Sequence, residues 1–481
     1  MRISFQNIIR AALSFVALTA LAPSASAQGG VPLWTNRYSA SFETNISVAW
    51  PRAMAVDKNG NVYVTGESWN SSDNDFATVA YSNLGTPLWT NRYDGGYGDD
   101  GPRDITVDRS GNIFVTGYST GDGGVVYYAT VAYSSAGLSL WTNRYGGGSS
   151  NDNAFAVRAD NKGTVIVTGR SSNGVDSDYA TIAYSNAGVP LWTNRYERGS
   201  SLDEAFAVAV DNNGKVFVTG RSFGSDFVYN YVTIAYSDLG LPLWTNLYGA
   251  GEGWASAVDA EGNIFVTGYP ATIKYSSAGL PLWTNWFDHT GNGIVVAGNG
   301  DVFVTGTDYA TVAYSNAGVP VWTNRFNGFI PYLRQEIVAD SNGNAFVTGT
   351  SSANGQYYQA TVGYSGDGVP LWTNIFKEKL NGYADARAIA IDSSGNVFVA
   401  AGSSDGTNND YVTIKYSSSI PPARLDFQKL NNQLVLSWTN AGFNLQSAAS
   451  VSGTFTNLPN ATSPYTNSFT APRQFFRLIS N

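Results

Sequence analysis

Cysteine is absent from the 481 residues, and histidine occurs once, as His289. Without cysteine the chain can form neither disulfide bonds nor a lipid-anchored N-terminal cysteine, so its stability must come from the packing of its core. A single histidine excludes a histidine-rich metal site and leaves a Ser-His-Asp triad only this one base. The composition therefore predicts no bound metal and no cofactor held by histidine.

Long apolar runs are also scarce. The longest, residues 11–22, follows two arginines and precedes Ala-Ser-Ala at residues 25–27, which predicts a secretory signal peptide over residues 1–27. No later segment approaches the ~20 apolar residues of a transmembrane helix. We expect an exported monomer without a membrane span, located outside the cell, on its surface or in the periplasm.

Basic residues are outnumbered by acidic ones. The chain has 27 Lys and Arg against 36 Asp and Glu, and removal of Arg2 and Arg10 with the signal peptide leaves 25 against 36, a net charge of −11. A surface of this sign repels phosphate backbones and anionic lipids. Nucleic acid and anionic membrane are therefore not expected partners.

One phrase, Leu-Trp-Thr-Asn or Val-Trp-Thr-Asn, occurs eight times at intervals of 39 to 55 residues. Its tryptophans are Trp34, Trp89, Trp141, Trp192, Trp244, Trp283, Trp322 and Trp372. Between consecutive copies lie three more phrases, exemplified by "RAMAVD" (52–57), "GNVYVTG" (60–66) and "ATVAYS" (77–82). Each is short, rich in β-branched and aromatic residues, and bounded by turn residues, which predicts four antiparallel strands per unit, here named a to d with the tryptophan phrase as d.

Four strands every 40 to 50 residues are typical of a propeller blade, and each phrase occurs eight times, so the sequence predicts an all-β, eight-bladed propeller. The last unit has its a, b and c phrases within residues 387–417 but no tryptophan phrase after them. The stretch 31–38 stands one strand out of phase at the other end. We therefore expect it to supply strand d of the last blade and close the ring, with the tryptophans buried between blades.

The order of "GN-[VI]-[YF]-VTG" and "ATVAYSxxGxPLWTN" resembles the bacterial β-propeller repeat family SBBP over residues 31–418. The resemblance implies a propeller of secreted or cell-surface proteins and no particular activity. It assigns residues 28–418 to the propeller. The family description gives seven blades, whereas this chain has eight repeats.

Residues 419–481 depart from the repeat. After the proline-containing joint "SIPPARLDF" (419–427), segments such as "QLVLSW" (433–438) and "RQFFRLIS" (473–480) alternate like strands, which predicts a small β-sandwich-like domain. The segment resembles short C-terminal modules ending in Phe-Phe-Arg-Leu on secreted proteins of some environmental bacteria. We interpret it as a capping or tethering domain.

Candidate ligand-binding residues emerge when the a phrases are aligned on their terminal aspartate and read five positions upstream. The candidates form one cationic and one aromatic arc: Arg52, Arg103 and Arg387, then Phe155, Phe206 and Trp254. Guanidinium groups suit carboxylates or phosphates, and aromatic faces suit sugar rings or apolar groups. The alternative is structural: packing, and ion pairs with acids such as Asp104 and Asp385.

Two other features concern the turns and loops. The turns of the type "DKNGN" (57–61) lack the ligand spacing of a calcium loop and predict hairpins in which Asp bonds to nearby amides. The two 39-residue intervals shorten the b–c loops of blades 5 and 6. We expect this to leave a notch in one rim of the ring, where loops on a rigid scaffold bind ligands.

Three function classes stay open. The first, favoured by the lack of a catalytic constellation, is a binding or scaffold propeller for a protein or glycan at the loop-rich face. The second is a quinone-dependent dehydrogenase, which eight-bladed rings with strand-d tryptophans resemble, although "AYSNLGTPLW" (80–89) departs from that family's motif. The third is a carbohydrate-active enzyme with paired carboxylates: Asp99, Asp100, Asp203 and Glu204.

Overall fold

In the computed structural model, the described residues are 30–40, 48–146, 151–199, 202–224, 227–286, 290–307, 310–326, 335–353, 355–378, 382–417, 425–430, 433–438, 443–451, 453–458, 461–468 and 474–480. They divide into two compact units, one of residues 30–418 and one that contains residues 419–481. His289 and the predicted signal peptide lie outside the described residues. No described helix has the length and apolarity needed to cross a membrane.

The larger unit consists of eight four-stranded antiparallel sheets, as predicted for a propeller. Its strands, in chain order, are β1 Pro32–Tyr38; in blade 1, β2 Ala49–Val56, β3 Val62–Trp69, β4 Asn74–Tyr81 and β5 Pro87–Tyr93; in blade 2, β6 Asp100–Val107, β7 Ile113–Thr120, β8 Val126–Tyr133 and β9 Ser139–Tyr145; in blade 3, β10 Asn153–Ala159, β11 Val165–Ser172, β12 Ser177–Tyr184 and β13 Pro190–Tyr196; in blade 4, β14 Asp203–Val210, β15 Val216–Phe223, β16 Tyr229–Tyr236 and β17 Pro242–Ala250.

The ring continues in blade 5 with β18 Glu252–Val258, β19 Ile264–Tyr269, β20 Ala271–Tyr275 and β21 Pro281–Trp286; in blade 6 with β22 Gly291–Val296, β23 Val302–Gly306, β24 Ala310–Tyr314 and β25 Pro320–Arg325; in blade 7 with β26 Glu336–Ala339, β27 Ala345–Ala353, β28 Gln356–Tyr364 and β29 Pro370–Phe376; and in blade 8 with β30 Tyr383–Ile391, β31 Val397–Ser404 and β32 Asn409–Tyr416. Strand a of each blade contacts strand a of the next, and β30 contacts β2. The a strands therefore surround the axis, and the b and c strands of blades 5 and 6 are the shortened ones.

The ring closes as the sequence predicts. Strand β1 pairs antiparallel with β32, with Tyr38 opposite Tyr411. The two chain ends also rebuild the c–d turn that is continuous in other blades: the Gly30 amide donates to the Ser417 carbonyl at 2.5 Å, and the Ser417 amide donates to the Val31 carbonyl at 3.4 Å. Gly30 has φ +70°, like the turn glycine of every other blade, which is the conformation that glycine adopts without strain.

The repeated Trp-Thr-Asn phrase fastens each blade to the next. In seven blades the indole N–H donates to a backbone carbonyl in the next c–d turn, at 2.7 to 3.2 Å. The asparagine two positions later donates from Nδ2 to the carbonyl of that turn's glycine, for example Asn36 to Gly85 at 2.7 Å. Alternate residues of a strand share one face, so both side chains reach the same turn. The apolar core lies between the blades, and Trp34 packs against Tyr81 and Phe398 across the closure.

The smaller unit contains two three-stranded antiparallel sheets. One has the order β33-β34-β37, with β33 Asp426–Leu430, β34 Gln433–Ser437 and β37 Tyr465–Ser468; the other has the order β36-β35-β38, with β35 Phe443–Ala448, β36 Thr456–Asn457 and β38 Phe475–Ser480. Leu436, Trp438 and Leu445 are buried in a core shared by both sheets. This arrangement confirms the predicted sandwich-like β domain.

Candidate functional site

The predicted candidate residues share a structural property that the alignment did not reveal: each is the extra residue of a β-bulge in strand a. In β2, for example, the pairing register shifts between Pro51 and Ala53, which leaves Arg52 unpaired. The bulge residues are Arg52, Arg103, Phe155, Phe206, Trp254, Asn292 and Arg387. A bulge re-aims its side chain, and strand a is innermost, so these side chains form a set around the axis, here called the axial set.

The aromatic arc is contiguous. The rings of Phe155 and Phe206 lie 5.6 Å apart between centroids, and those of Phe206 and Trp254 lie 4.4 Å apart and stack at 16°. All three side chains are half-buried. Three neighbouring blades thus present one continuous aromatic wall toward the axis.

The cationic arc is mostly neutralised. Arg52 donates to both carboxylate oxygens of Glu67, at 3.0 Å each. Arg387 pairs with Asp385, one of the predicted structural acids, and lies 5.6 Å from the Trp50 ring centroid. The other predicted acid, Asp104, instead pairs with Arg158 at 2.6 Å. Two of the three arginines therefore fit the structural interpretation.

Arg103 differs from the other two arginines. Its guanidinium lies 5.2 Å from the Tyr118 ring centroid, and it forms no ion pair within the described part of the chain. Its Nε is buried and has no hydrogen-bond acceptor among the described residues, which is also true of Arg387 Nε, so the missing counter-ion is what distinguishes Arg103. Burial, followed by the positive charge of Arg52, lowers the pKa of Arg103 below its ordinary value. The site therefore contains one cation without a counter-ion among the residues that the structure describes.

Sequence reasoning missed a second layer of the site. Arg170 and Arg221 follow the glycine of the Val-Thr-Gly phrase in blades 3 and 4, where Glu67 stands in blade 1. Both bind Glu204, at 2.6 and 2.5 Å, and Arg221 also binds Glu252 at 2.9 Å. Arg170 lies 6.0 Å from the Phe155 ring centroid, and Arg221 lies 5.4 Å from that of Phe206. The variation after Val-Thr-Gly was the available signal.

The acids considered for glycoside hydrolysis have structural partners in the described chain. Asp99 accepts hydrogen bonds from the backbone and side chain of Asn74. Asp203 accepts from the Arg198 amide at 2.8 Å, and Glu204, only 2% exposed, lies between two guanidinium groups. We observe no pair of these carboxylates facing each other across a cleft among the described residues.

One group of described carboxylates comes close enough to suggest a cation: oxygens of Asp75, Asp94 and Asp100 lie within 4.8 Å of one another. Asp75 already binds Arg92 at 2.7 Å, and the buried Asp100 accepts hydrogen bonds from the Gly95 and Thr120 amides. We assign no metal to this group.

Asp100 makes stability depend on pH. Burial raises its pKa from 3.8 to about 6, so the folded chain favours the neutral carboxyl. The contribution of the neutral Asp100 carboxyl to the unfolding free energy is therefore largest below about pH 4 and is lost as the pH rises through about 6. Asp100→Asn stays neutral, so its unfolding free energy should rise relative to wild type by roughly 2 kcal/mol between pH 4 and pH 7. Urea unfolding at several pH values measures this difference, and a difference independent of pH would contradict it.

The aspartate turns are hairpins, as predicted. The Asp57 carboxylate accepts hydrogen bonds from the amides of Asn59 and Asn61, at 2.8 and 2.9 Å, and from the Asn61 side chain. The same pattern recurs around Asp108, Asp340 and Asp392. These carboxylates therefore stabilise the backbone of the turns by accepting hydrogen bonds from its amides.

Comparison with known proteins supports the fold. A family model described as SBBP, "Beta-propeller repeat", matches residues 43–72 and 89–124. These two segments are similar to SBBP repeats. The predicted resemblance to the propeller repeat is confirmed over the matched residues, which cover blade 1 up to strand b and the stretch from strand d of blade 1 to strand b of blade 2. No curated protein sequence matches the chain.

Solved propellers resemble the larger unit in fold. Sqt1 of Chaetomium thermophilum, bound to the N-terminus of ribosomal protein L10, aligns with a TM-score of 0.51 and 10% identity over 77% of this chain and 97% of its own. BamB from Moraxella catarrhalis aligns with 0.51 and 13% over 80% and 99%. The C-terminal WD40 domain of Sif2 aligns with 0.52 and 10% over 79% and 98%. At these identities the likeness shows the fold alone.

Proposed function

We propose that this protein is an exported, non-catalytic binding propeller that holds a protein partner at the axial set. The observation that carries the proposal is the concentration of aromatic and arginine side chains at the bulges of the innermost strands. Tryptophan and arginine are among the residue types that most often anchor binding interfaces. A rigid ring with closed edges holds them in fixed positions without needing any mobile element.

A protein partner is favoured over the alternatives. Sqt1, a propeller of similar fold, holds the N-terminus of a ribosomal protein. The strand-d tryptophans are engaged in blade packing, which weakens the likeness to quinone-dependent dehydrogenases, and the candidate hydrolytic acids bind arginines and amides. The aromatic wall of Phe155, Phe206 and Trp254 makes a glycan the second candidate.

Export rests on residues 1–27, and cleavage after Ala27 would leave two residues before Gly30, which takes part in ring closure. We expect N-terminal sequencing of the mature protein to begin at Gln28. Because the cleavage site requires small residues, Ala27→Arg should block processing and leave the chain in the membrane fraction. A mature chain that still carries residues 1–27 in the soluble extracellular or periplasmic fraction would contradict export by this signal.

Loss of Trp254 tests the binding proposal. The full mature chain is immobilised and probed with arrays of secreted proteins and of glycans, and each hit is titrated against Trp254→Ala. We expect affinity to fall at least tenfold, because large aromatic side chains dominate interface energies. Trp286→Ala is the matched control, since Trp286 is in the same blade, is 71% exposed and does not belong to the axial set. Equal loss in both variants, or in neither, would place the site elsewhere.

A further inference from the structure

Five arginines surround the aromatic wall, and their ion pairs differ. Arg52 binds Glu67, Arg387 binds Asp385, and Arg170 and Arg221 share Glu204. Arg103 stands in the middle of this series, in blade 2, and has no carboxylate partner among the described residues. One acid is near: Glu67 contributes to its electrostatic environment, but both of its oxygens are bound by Arg52.

The surroundings of Arg103 disfavour its charged form, because burial and a neighbouring positive charge both lower its pKa. The Tyr118 ring covers the guanidinium at 5.2 Å, and the charges of Arg52 and Arg170 both oppose its protonation. A partly desolvated guanidinium with a buried, unsatisfied N–H is costly for the folded chain. Unsatisfied polar groups of this kind are concentrated at functional sites, where an external group completes the hydrogen bonds.

The guanidinium of Arg103 determines which chemical group can bind to it. A guanidinium fork binds a carboxylate through two parallel hydrogen bonds. In the next blade, Phe155 occupies the bulge equivalent to that of Arg103, on a strand that contacts β6, so the aromatic wall begins in the blade beside Arg103. A group bound at Arg103 would thus place its neighbour against Phe155 and Phe206. A polypeptide in which an acidic residue adjoins an aromatic residue carries both a carboxylate for Arg103 and a ring for the aromatic wall.

We propose that Arg103 binds the side-chain carboxylate of an acidic residue that adjoins an aromatic residue in the protein partner, whose aromatic ring packs on the wall of Phe155, Phe206 and Trp254. This inference rests on the proposed protein-binding function. The net charge of −11 repels an acidic partner at long range, so recognition is local. The paired charges would lie much closer together than the Debye length, which is about 8 Å at physiological ionic strength. Raising the salt concentration should therefore weaken binding only modestly.

The experiment selects binding peptides from random sequences, so the natural partner need not be identified first. A random dodecapeptide library displayed on phage is enriched on the full mature chain, and the enriched peptides are synthesised and titrated by calorimetry. Three proteins are compared: wild type, Arg103→Gln and Arg109→Gln. Arg109 is the control because it is an exposed arginine of the same blade in the a–b turn, outside the axial set. An acidic sugar probe, tri-galacturonate, is titrated in parallel.

The expected result is enrichment of Asp or Glu next to an aromatic residue, with affinity about tenfold to a hundredfold lower in Arg103→Gln and unchanged in Arg109→Gln. Enriched peptides without acidic residues, or with equal affinity for Arg103→Gln, would overturn the carboxylate assignment and leave protein binding intact. No enrichment would overturn the proposed function itself. Tri-galacturonate binding that depends on Arg103, without peptide binding, would overturn the choice of a protein partner.

Discussion

Deletion of residues 28–38 is expected to open the ring and to cause the chain to form soluble aggregates. The deletion removes strand β1, so the backbone edge of β32 is left unpaired, and an open edge is a template for pairing with another chain. It also removes Trp34, whose indole contacts Tyr81 and Phe398 and donates to the Asn83 carbonyl at 3.0 Å. Sedimentation velocity measures the change in oligomeric state.

Two point variants distinguish the effect of opening the ring from the effect of losing one packed tryptophan. Trp34→Ala should lower the unfolding free energy by about 3 kcal/mol, the lower range for large aromatic truncations, because this tryptophan is half-buried. Trp89→Ala removes the equivalent contact at a boundary where the chain is continuous and should lower stability by a similar amount without aggregation. A deletion variant that stays monomeric with unchanged melting would contradict closure by β1.

The second large effect is expected from Glu204→Gln. Glu204 is 2% exposed and is shared by Arg170 and Arg221, so neutralising it leaves two partly buried guanidinium groups without their common carboxylate. Removing one partner from a buried ion pair costs several kcal/mol, and solvent access to the arginines reduces this to about 2 kcal/mol. The unfolding free energy from urea titration measures the loss.

The control for Glu204→Gln is Asp238→Asn. Asp238 pairs with Lys162 at 2.8 Å on the surface, where both side chains are well exposed and solvent weakens the interaction. This variant should keep the stability of wild type. Equal losses in the two variants would show that Glu204 does not hold Arg170 and Arg221 in place.

The propeller could be predicted because repetition multiplies weak signals. A single "ATVAYS" phrase does not distinguish a strand from a buried helical segment, but eight copies between turn residues at a fixed order leave only a blade. The absence of a tryptophan phrase after the last unit, together with the extra copy at residues 31–38, predicted closure for the same reason. The sequence predicted the burial of the tryptophans but not the hydrogen bonds of the asparagines in the same phrase. Asn36 and its equivalents bond to the c–d turn of the next blade, and the position of that turn cannot be inferred from the local sequence.

The candidate site could be located but not explained from the sequence. Reading five positions upstream of the turn aspartate found the bulge residues because the bulge lies at the same distance from that aspartate in these six blades. The pairing of these residues was not predicted, because Arg52 and Arg103 occupy equivalent bulges and their partners stand on strand b, where Glu67 follows Val-Thr-Gly in one blade and Tyr118 in the other. The carboxylate that neutralises an arginine comes from another strand, so charge balance is a tertiary property.

Thermal unfolding of Arg103→Gln and of Arg52→Gln tests most directly whether the axial set binds a partner. Arg52→Gln breaks a bidentate pair with Glu67 and should lower the melting temperature. Arg103→Gln removes a partly desolvated cation that has no ion pair among the described residues, and it should leave the melting temperature unchanged or raise it. A melting temperature that falls as far in Arg103→Gln as in Arg52→Gln would show that Arg103 is a packing residue and would contradict the binding role.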